Sequence, residues 1–254
     1  MKNHTEFKGL PNEFTMIAID GNLDDEPFEM GGESWRDDAK PVHKVRLSDF
    51  WLCETPVTQA VWAYIMADTH LANPSYFQGQ NRPVEQVSWN DIHNLFFPKL
   101  NKITEGVRPE GTAYGLPTEA QWEYAACGGK YWKDFSFEFT GSDKIEEVAW
   151  YDENSHGETK PVGLKTPNLL GLYDMSGNVW EWCEDVYYGN FYEKCHQQGV
   201  VTNPCNREQG TERVFRGGGW GNYAANCRPP DHDIDLPSLR DSDLGFRLVL
   251  FYLQ

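Results

Sequence analysis

Residues 213–250 read RVFRGGGWGNYAANCRPPDHDIDLPSLRDSDLGFRLVL, and the contrast between the ends of this stretch and its middle decides what kind of fold the chain can have. The ends look like framework. Val214 and Phe215 run into three consecutive glycines and Trp220, and Leu244 to Phe251 alternates and then runs apolar as a buried strand does. Between Gly221 and Asp243 there is no Lys, Glu, Gln, Met or Trp, and Ile234, Leu236 and Leu239 stand singly among Asp231, Asp233, Asp235, Asp241 and Asp243. With neither a strand nor a helix period, a segment so rich in Pro, Asp and Ser is expected to be an ordered surface loop, and isolated apolar side chains on such a loop suit a binding face.

The composition limits what that face can serve. With 254 residues, 39% of them apolar, the chain can bury a sizeable core, and no linker, repeat or low-complexity block divides it, so residues 1–254 read as one domain. Ten Trp and 14% aromatic residues point to a loop-rich fold whose long connections are pinned by buried rings and indole N–H groups. A net charge of −17 argues against a nucleic-acid or anionic-lipid partner, both of which are bound through clustered Lys and Arg. Basic proteins, polar small molecules and glycans remain compatible. No apolar run reaches the length of a signal peptide or a membrane span. Of the six Cys, Cys53, Cys127 and Cys183 lie in apolar or helical contexts and read as buried thiols; Cys195 and Cys205 flank a polar loop that a disulfide or a metal could close, or neither.

Along the chain, Phe14–Ile19 alternates as a first strand, and Val42–Leu47 with Phe50–Cys53 reads as a strand pair with one face buried. Thr58 is placed to cap a helix through Val61, Trp62, Ile65 and Met66, and Ser88 or Asn90 a second through Ile92, Leu95, Phe96 and Leu100. Thr118 with Gln121 forms a capping box for a third helix, which stops at Gly128-Gly129. Residues 131–163 read as loop with short strands. In Asp174-Met175-Ser176-Gly177-Asn178-Val179-Trp180-Glu181, Asp174, Asn178 and Glu181 offer hard oxygen ligands around a forced turn, which could fold about one Ca²⁺. The same residues are equally readable as an Asx-stabilised turn followed by an aromatic strand.

Five segments together resemble one family: PVHKVRLSDFWLCETPVTQAVW, RPVEQVSWNDI, YGLPTEAQWEYAACGG, NLLGLYDMSGNVWEW, and RVFRGGGW through LGFRL. In this order they are similar to the sulfatase-modifying, formylglycine-generating-enzyme domain, with GLYDMSGNVWEW and RGGGW…GFRL the most specific pieces. The resemblance implies an α+β domain of the C-type lectin fold with two small antiparallel sheets, two or three helices and many long loops. It also implies a structural Ca²⁺ held by the Asp174 and Glu181 side chains and the carbonyls of Gly177 and Val179. The family's enzymes bind copper through two cysteines near the glycine turn. A gapless match puts Asn222 at the first of those positions and Cys227 at the second, while the following Arg228 suits Cys227 to a structural position after a deletion; with one thiol instead of two, a two-thiolate copper site is not available from this loop. His43, His93, His156, His196 and His232 have no metal-ligand spacing.

A subset of this fold resembles the variable proteins of diversity-generating retroelements, whose C-terminal segment is rewritten at adenines. Randomised Asn codons never yield Lys, Glu, Gln, Met or Trp, the residues missing from Gly221–Asp243. On this reading, residues 213–250 form a variable-type ligand-binding segment, with Trp220, Asn222, Tyr223, Asp231, His232, Asp233, Ile234, Asp235, Leu236, Leu239, Asp241, Ser242 and Asp243 as its selectable surface. Trp220 and Tyr223 would be aromatic anchors. The glycine turn, Arg240 and Arg247 would hold the segment rigid by close approach and by hydrogen bonds to loop carbonyls. The expected function is non-enzymatic binding of a macromolecule, protein or glycan, with display at the cell surface implied by the resemblance. The rivals are a copper- or iron-dependent oxidase acting on a thiol, and an accessory domain with a fixed partner.

Overall fold

The computed structural model describes residues 1–9, 12–34, 36–134, 136–207 and 210–253. Among them, twelve strands form three sheets. The first is antiparallel throughout, in the order β1 (His4–Glu6), β2 (Phe14–Ile19), β5 (Phe50–Cys53), β12 (Val249–Tyr252), β6 (Thr112–Gly115). The second runs β10 (His232–Asp235), β9 (Arg213–Arg216), β7 (Trp180–Val186), β11 (Leu244–Phe246), and the third β3 (Phe28–Met30), β4 (His43–Arg46), β8 (Val200–Thr202). The architecture is α+β and loop-rich, as expected, but with three sheets in place of two. Two pairings are parallel, β11 with β7 and β8 with β4.

Helices start where the sequence places their caps. Thr58 accepts the Val61 amide at the head of α1 (Gln59–Ile65). Ser88, not Asn90, caps α2 (Trp89–Asp91), sharing a capping box with Asp91, and the helix continues through a π turn (Ile92–Phe96) into α3 (Phe97–Ile103). Thr118 and Gln121 form the box of α4 (Glu119–Ala126), which ends at Gly128 with φ +91°. Each cap is worth about 1 kcal/mol. Two further helices, α5 (Ile145–Val148) and α6 (Phe191–Gln198), complete the set.

Two expectations fail here. The alternating runs at 42–47 and 50–53 are both strands, but β4 and β5 lie in different sheets. The Asn22 side chain accepts the Leu47 amide at 2.7 Å and donates to the Val45 carbonyl at 3.1 Å, turning the chain away between them. A period of two fixes which face is buried and says nothing about which neighbour pairs. Residues 131–163 contain one isolated bridge, Phe139 with Ser142, and no strand among the described positions.

Trp62, Trp122 and Trp182 are fully buried, and indole N–H groups tie loops down as the aromatic content predicts. Trp62 donates to the Leu71 carbonyl, Trp89 to Cys183 and Trp182 to Val87. All six cysteines are free thiols; Cys53 and Cys183 are buried, and Cys127 is half-buried.

Candidate ligand-binding site

At its C-terminal end the segment rests on a buried ion pair. Arg247, with no solvent exposure, donates through Nε and Nη2 to Glu181 at 2.8–3.2 Å, through Nη1 to the Cys53 carbonyl at 2.8 Å and through Nη2 to the Tyr173 carbonyl at 2.7 Å. Trp122 Nε1 donates to the same carboxylate at 2.7 Å. Arg247 thus holds framework carbonyls rather than loop carbonyls. Arg240 likewise grips a carboxylate, Asp91, at 2.7 Å through both Nε and Nη2.

The segment leaves β9 over the turn at Asp174–Asn178. The Gly177 amide donates to the Gly217 carbonyl at 2.7 Å and the Trp220 amide to the Asn178 carbonyl at 2.9 Å. Glycine is required at this approach: a Cβ on Gly218, φ +75°, would sit 2.7 Å from Cys227 Sγ, and one on Gly219 2.8 Å from Asp243 Cβ. Asn222 accepts the Gly219 amide on its side chain at 2.8 Å, closing the turn.

Beyond the turn the middle is not a featureless loop. It holds a 3-10 turn (Ala224–Cys227) and strand β10, paired antiparallel with β9 in the register His232–Arg216 to Asp235–Arg213. Backbone pairing along β9 supplies what composition did not advertise. The segment consequently divides. Tyr223 is 75% exposed, Leu236 51%, and Asp241 is exposed, so these present themselves to solvent. Asp231 and His232 are buried: Asp231 accepts from Ser34, and the His232 ring lies between Asp38 at 3.3 Å and Glu119 at 3.4 Å. Ile234 and Leu239 pack on the core. Asp233 is ion-paired with Arg36 at 3.0 Å, while Asp235, Ser242 and Asp243 are half-buried. Trp220 is half-buried too, its indole donating to the Ser242 carbonyl at 3.0 Å, so it anchors the segment from within.

The structure adds residues that the sequence reading missed. Tyr76 and Phe77, in the break before Pro83, stand beside the segment: Phe77 meets Trp220 edge-to-face at 5.3 Å and Tyr76 at 4.8 Å, leaving Tyr76 72% exposed. The Gln86 amide donates to the Asp241 carbonyl at 2.8 Å and that of Asn90 to Pro237 at 3.0 Å. Two adjacent aromatics inside a polar, Pro- and Gly-containing break were the available signal. Beneath them, burial pushes Glu85 up to about 7, with Asp241 and Asp243 adding to it; Asp243 itself is pushed up to about 6 by burial and Asp241. The face therefore combines exposed tyrosines with an excess of carboxylates.

At the turn proposed for calcium, Asp174 is buried and pushed up to about 6 by desolvation; Oδ2 accepts the Gly163 amide at 2.8 Å, and Oδ1 has only Asn178 Nδ2 at 3.5 Å. Asp174 is thus a carboxylate that a hard cation would suit. Glu181 spends its oxygens on Arg247 and Trp122, and would have to share them. Among the described residues no three His, Cys, Asp or Glu side chains converge as a metal-binding group.

Fold and site together define a C-type-lectin-type framework that holds a C-terminal segment between fixed anchors and turns part of it outward. The chain belongs to the sulfatase-modifying factor enzyme 1-like domain family, whose model matches residues 14–251. It is similar to the chaperone protein LppX of Paenibacillus barcinonensis, 33% identical over 75% of this chain and 80% of that one. It is also similar to the formylglycine-generating enzyme of Streptomyces coelicolor, 28% identical over 87% and 85%. Serine/threonine-protein kinase pkn1 of Chlamydia caviae is 30% identical over 95% of this chain, which spans 39% of that protein's length. Among solved structures, Treponema denticola variable protein 1 superposes with a TM-score of 0.80 at 28% identity, covering 97% of this chain and 98% of that one. PvdO from Pseudomonas aeruginosa gives 0.78 at 25% identity over 98% of both chains.

Proposed function

We propose that this chain is a non-enzymatic ligand-binding protein, receptor- or adhesin-like, presenting a variable-type C-terminal surface to a protein or glycan. One observation carries the reading: between Gly217 and Arg247 the chain has a single cysteine, Cys227, where the family's oxidases bear two that bind copper, and a gapless match puts Asn222 at the first of those positions. Asn222 is engaged in closing the glycine turn, and Cys227 is buried with its thiol pushed up to about 12 by desolvation. The similarity to Treponema denticola variable protein 1 over nearly the whole chain supports the same assignment. The working surface is then Tyr223, Leu236, Asp235, Asp241 and Ser242 with Tyr76 beside them, and cell-surface display and a structural Ca²⁺ at Asp174 belong to the same proposal.

Two measurements test it. The DNA flanking the gene should hold a near-copy of the stretch encoding Gly217–Arg247 whose mismatches fall at adenines. Incubation of the chain with Cu(I), oxygen and a cysteine-bearing sulfatase peptide should give no aldehyde product; turnover to the aldehyde would replace this reading with the oxidase.

A further inference from the structure

A concavity opens beside the C-terminal segment, with none of Tyr76, Tyr223, Leu236 and Asp241 in its lining. Its volume is about 390 Å³, within the range of small-molecule sites. Phe28 of β3, Trp132, Phe137 and Phe139 contribute to its walls, and Pro229 and Pro230 of the C-terminal segment close one side. Phe28 and Trp132 meet edge-to-face at 5.5 Å, and Phe137 is 39% exposed. The charged groups of the lining are mostly acidic: Glu29, Glu33, Glu123 and Glu138 against Arg228, with Glu138 paired to Arg228 and Glu33 to Lys40 at 2.8 Å.

The imbalance continues inward. Glu123 is buried, and it shares a single guanidinium, Arg216, with Glu119: Arg216 Nη2 is 2.7 Å from Glu119 and Nη1 2.8 Å from Glu123 Oε2. Glu123 Oε1 also accepts the Gly31 amide at 2.7 Å, and burial raises the Glu123 carboxyl above its usual range. Two buried carboxylates share that one guanidinium, with the His232 ring 3.4 Å from Glu119, in a place where desolvated charge is costly. The compensation available from outside is positive charge in the adjoining cavity, and aromatic faces are the walls that favour it.

We infer that this cavity, built from β3, the end of α4, Trp132, Phe137–Phe139 and Pro229–Pro230, binds a small organic cation, an ammonium group on an apolar or aromatic body. The rings take up the body and the methylenes next to nitrogen, and the net acidic lining selects the charge. This site is separate from the ligand face, so either can fail without the other.

The test uses the whole chain in 0.15 M salt at pH 7.5, with 2-phenylethylamine as probe and 2-phenylethanol as its neutral counterpart, followed by calorimetry and ligand-observed NMR. The amine is expected to bind saturably, at one site, at least tenfold more tightly than the alcohol. Trp132→Ala should weaken the amine by tenfold or more, and Phe137→Ala at the partly exposed mouth by several-fold; the second variant keeps the test open if the first does not fold. Tyr223→Ala should leave amine binding unchanged. Equal affinity for amine and alcohol, no saturation at millimolar concentration, or amine binding indifferent to both cavity variants would each overturn the inference.

Discussion

Arg247 shows how much one side chain can hold. It joins the end of β5 through Cys53, the turn at Tyr173 and strand β7 through Glu181, all without solvent. Arg247→Met strands the Glu181 charge in the core and should cost about 3–5 kcal/mol, read as a fall in the urea midpoint. Neither partner was legible in that role, because sequence displays an arginine and an acid 66 positions apart but not which oxygens the guanidinium will choose. Glu85 gives a pH-dependent counterpart. Its folded pKa of about 7 lies above the ordinary carboxyl value, so between pH 4.5 and 7 the folded state keeps a proton that the unfolded chain has released. Its contribution to stability therefore falls as pH rises through that window and levels off above it. Gln at this position keeps the acceptor for the Phe77 amide at 2.8 Å. Glu85→Gln should accordingly shrink the difference between urea midpoints at pH 5 and pH 8; an undiminished difference would show that other groups carry it.

At the scale of the element, the C-terminal segment was legible in outline and not in its division. Its framework ends, glycine turn and caps follow from residue chemistry that acts locally. That His232 turns inward follows from the pairing of β10 with β9, a contact made by backbone and invisible in side-chain type, while Asp241 lies beyond that strand and is exposed. The division predicts a substitution pattern. Changes at Tyr223, Leu236, Ser238 and Asp241 should shift stability by no more than about 0.5 kcal/mol, whereas apolar replacements of Asp231 should cost several-fold more. A saturation library sorted for folded protein would separate the two groups. Gly218→Ala meets two obstacles, a positive φ and the Cys227 sulfur, the first alone worth about 1–3 kcal/mol. Adding Cys227→Ala should relieve the contact with sulfur and leave both the positive φ and the approach to the Asn226 carbonyl at 3.0 Å, a difference that a double-mutant cycle of melting curves measures.

For the molecule as a whole, loop-rich α+β character and indole-pinned connections were readable because they follow from aromatic content and short alternating runs. The assignment of strands to three sheets was not, since it depends on long-range neighbours. The calcium proposal belongs to this scale, because the Asp174 turn underlies the whole C-terminal segment. Millimolar Ca²⁺ should raise the melting temperature and excess chelator lower it, and Asp174→Ala should abolish the response; indifference to both reagents would remove the ion.

Strand order gives the arrangement a mechanical meaning. The chain enters the segment on one side of β7, along β9, and returns on the other side, along β11. Everything between is an arch whose two footings are fixed by the same central strand. Its span does not depend on what the arch is made of. A segment of different sequence, cut at Arg216 and Leu244 and carrying the same glycines, the arginine at 240 and the inward-facing Asp231, His232, Ile234 and Leu239, could be transplanted between those footings as a cartridge.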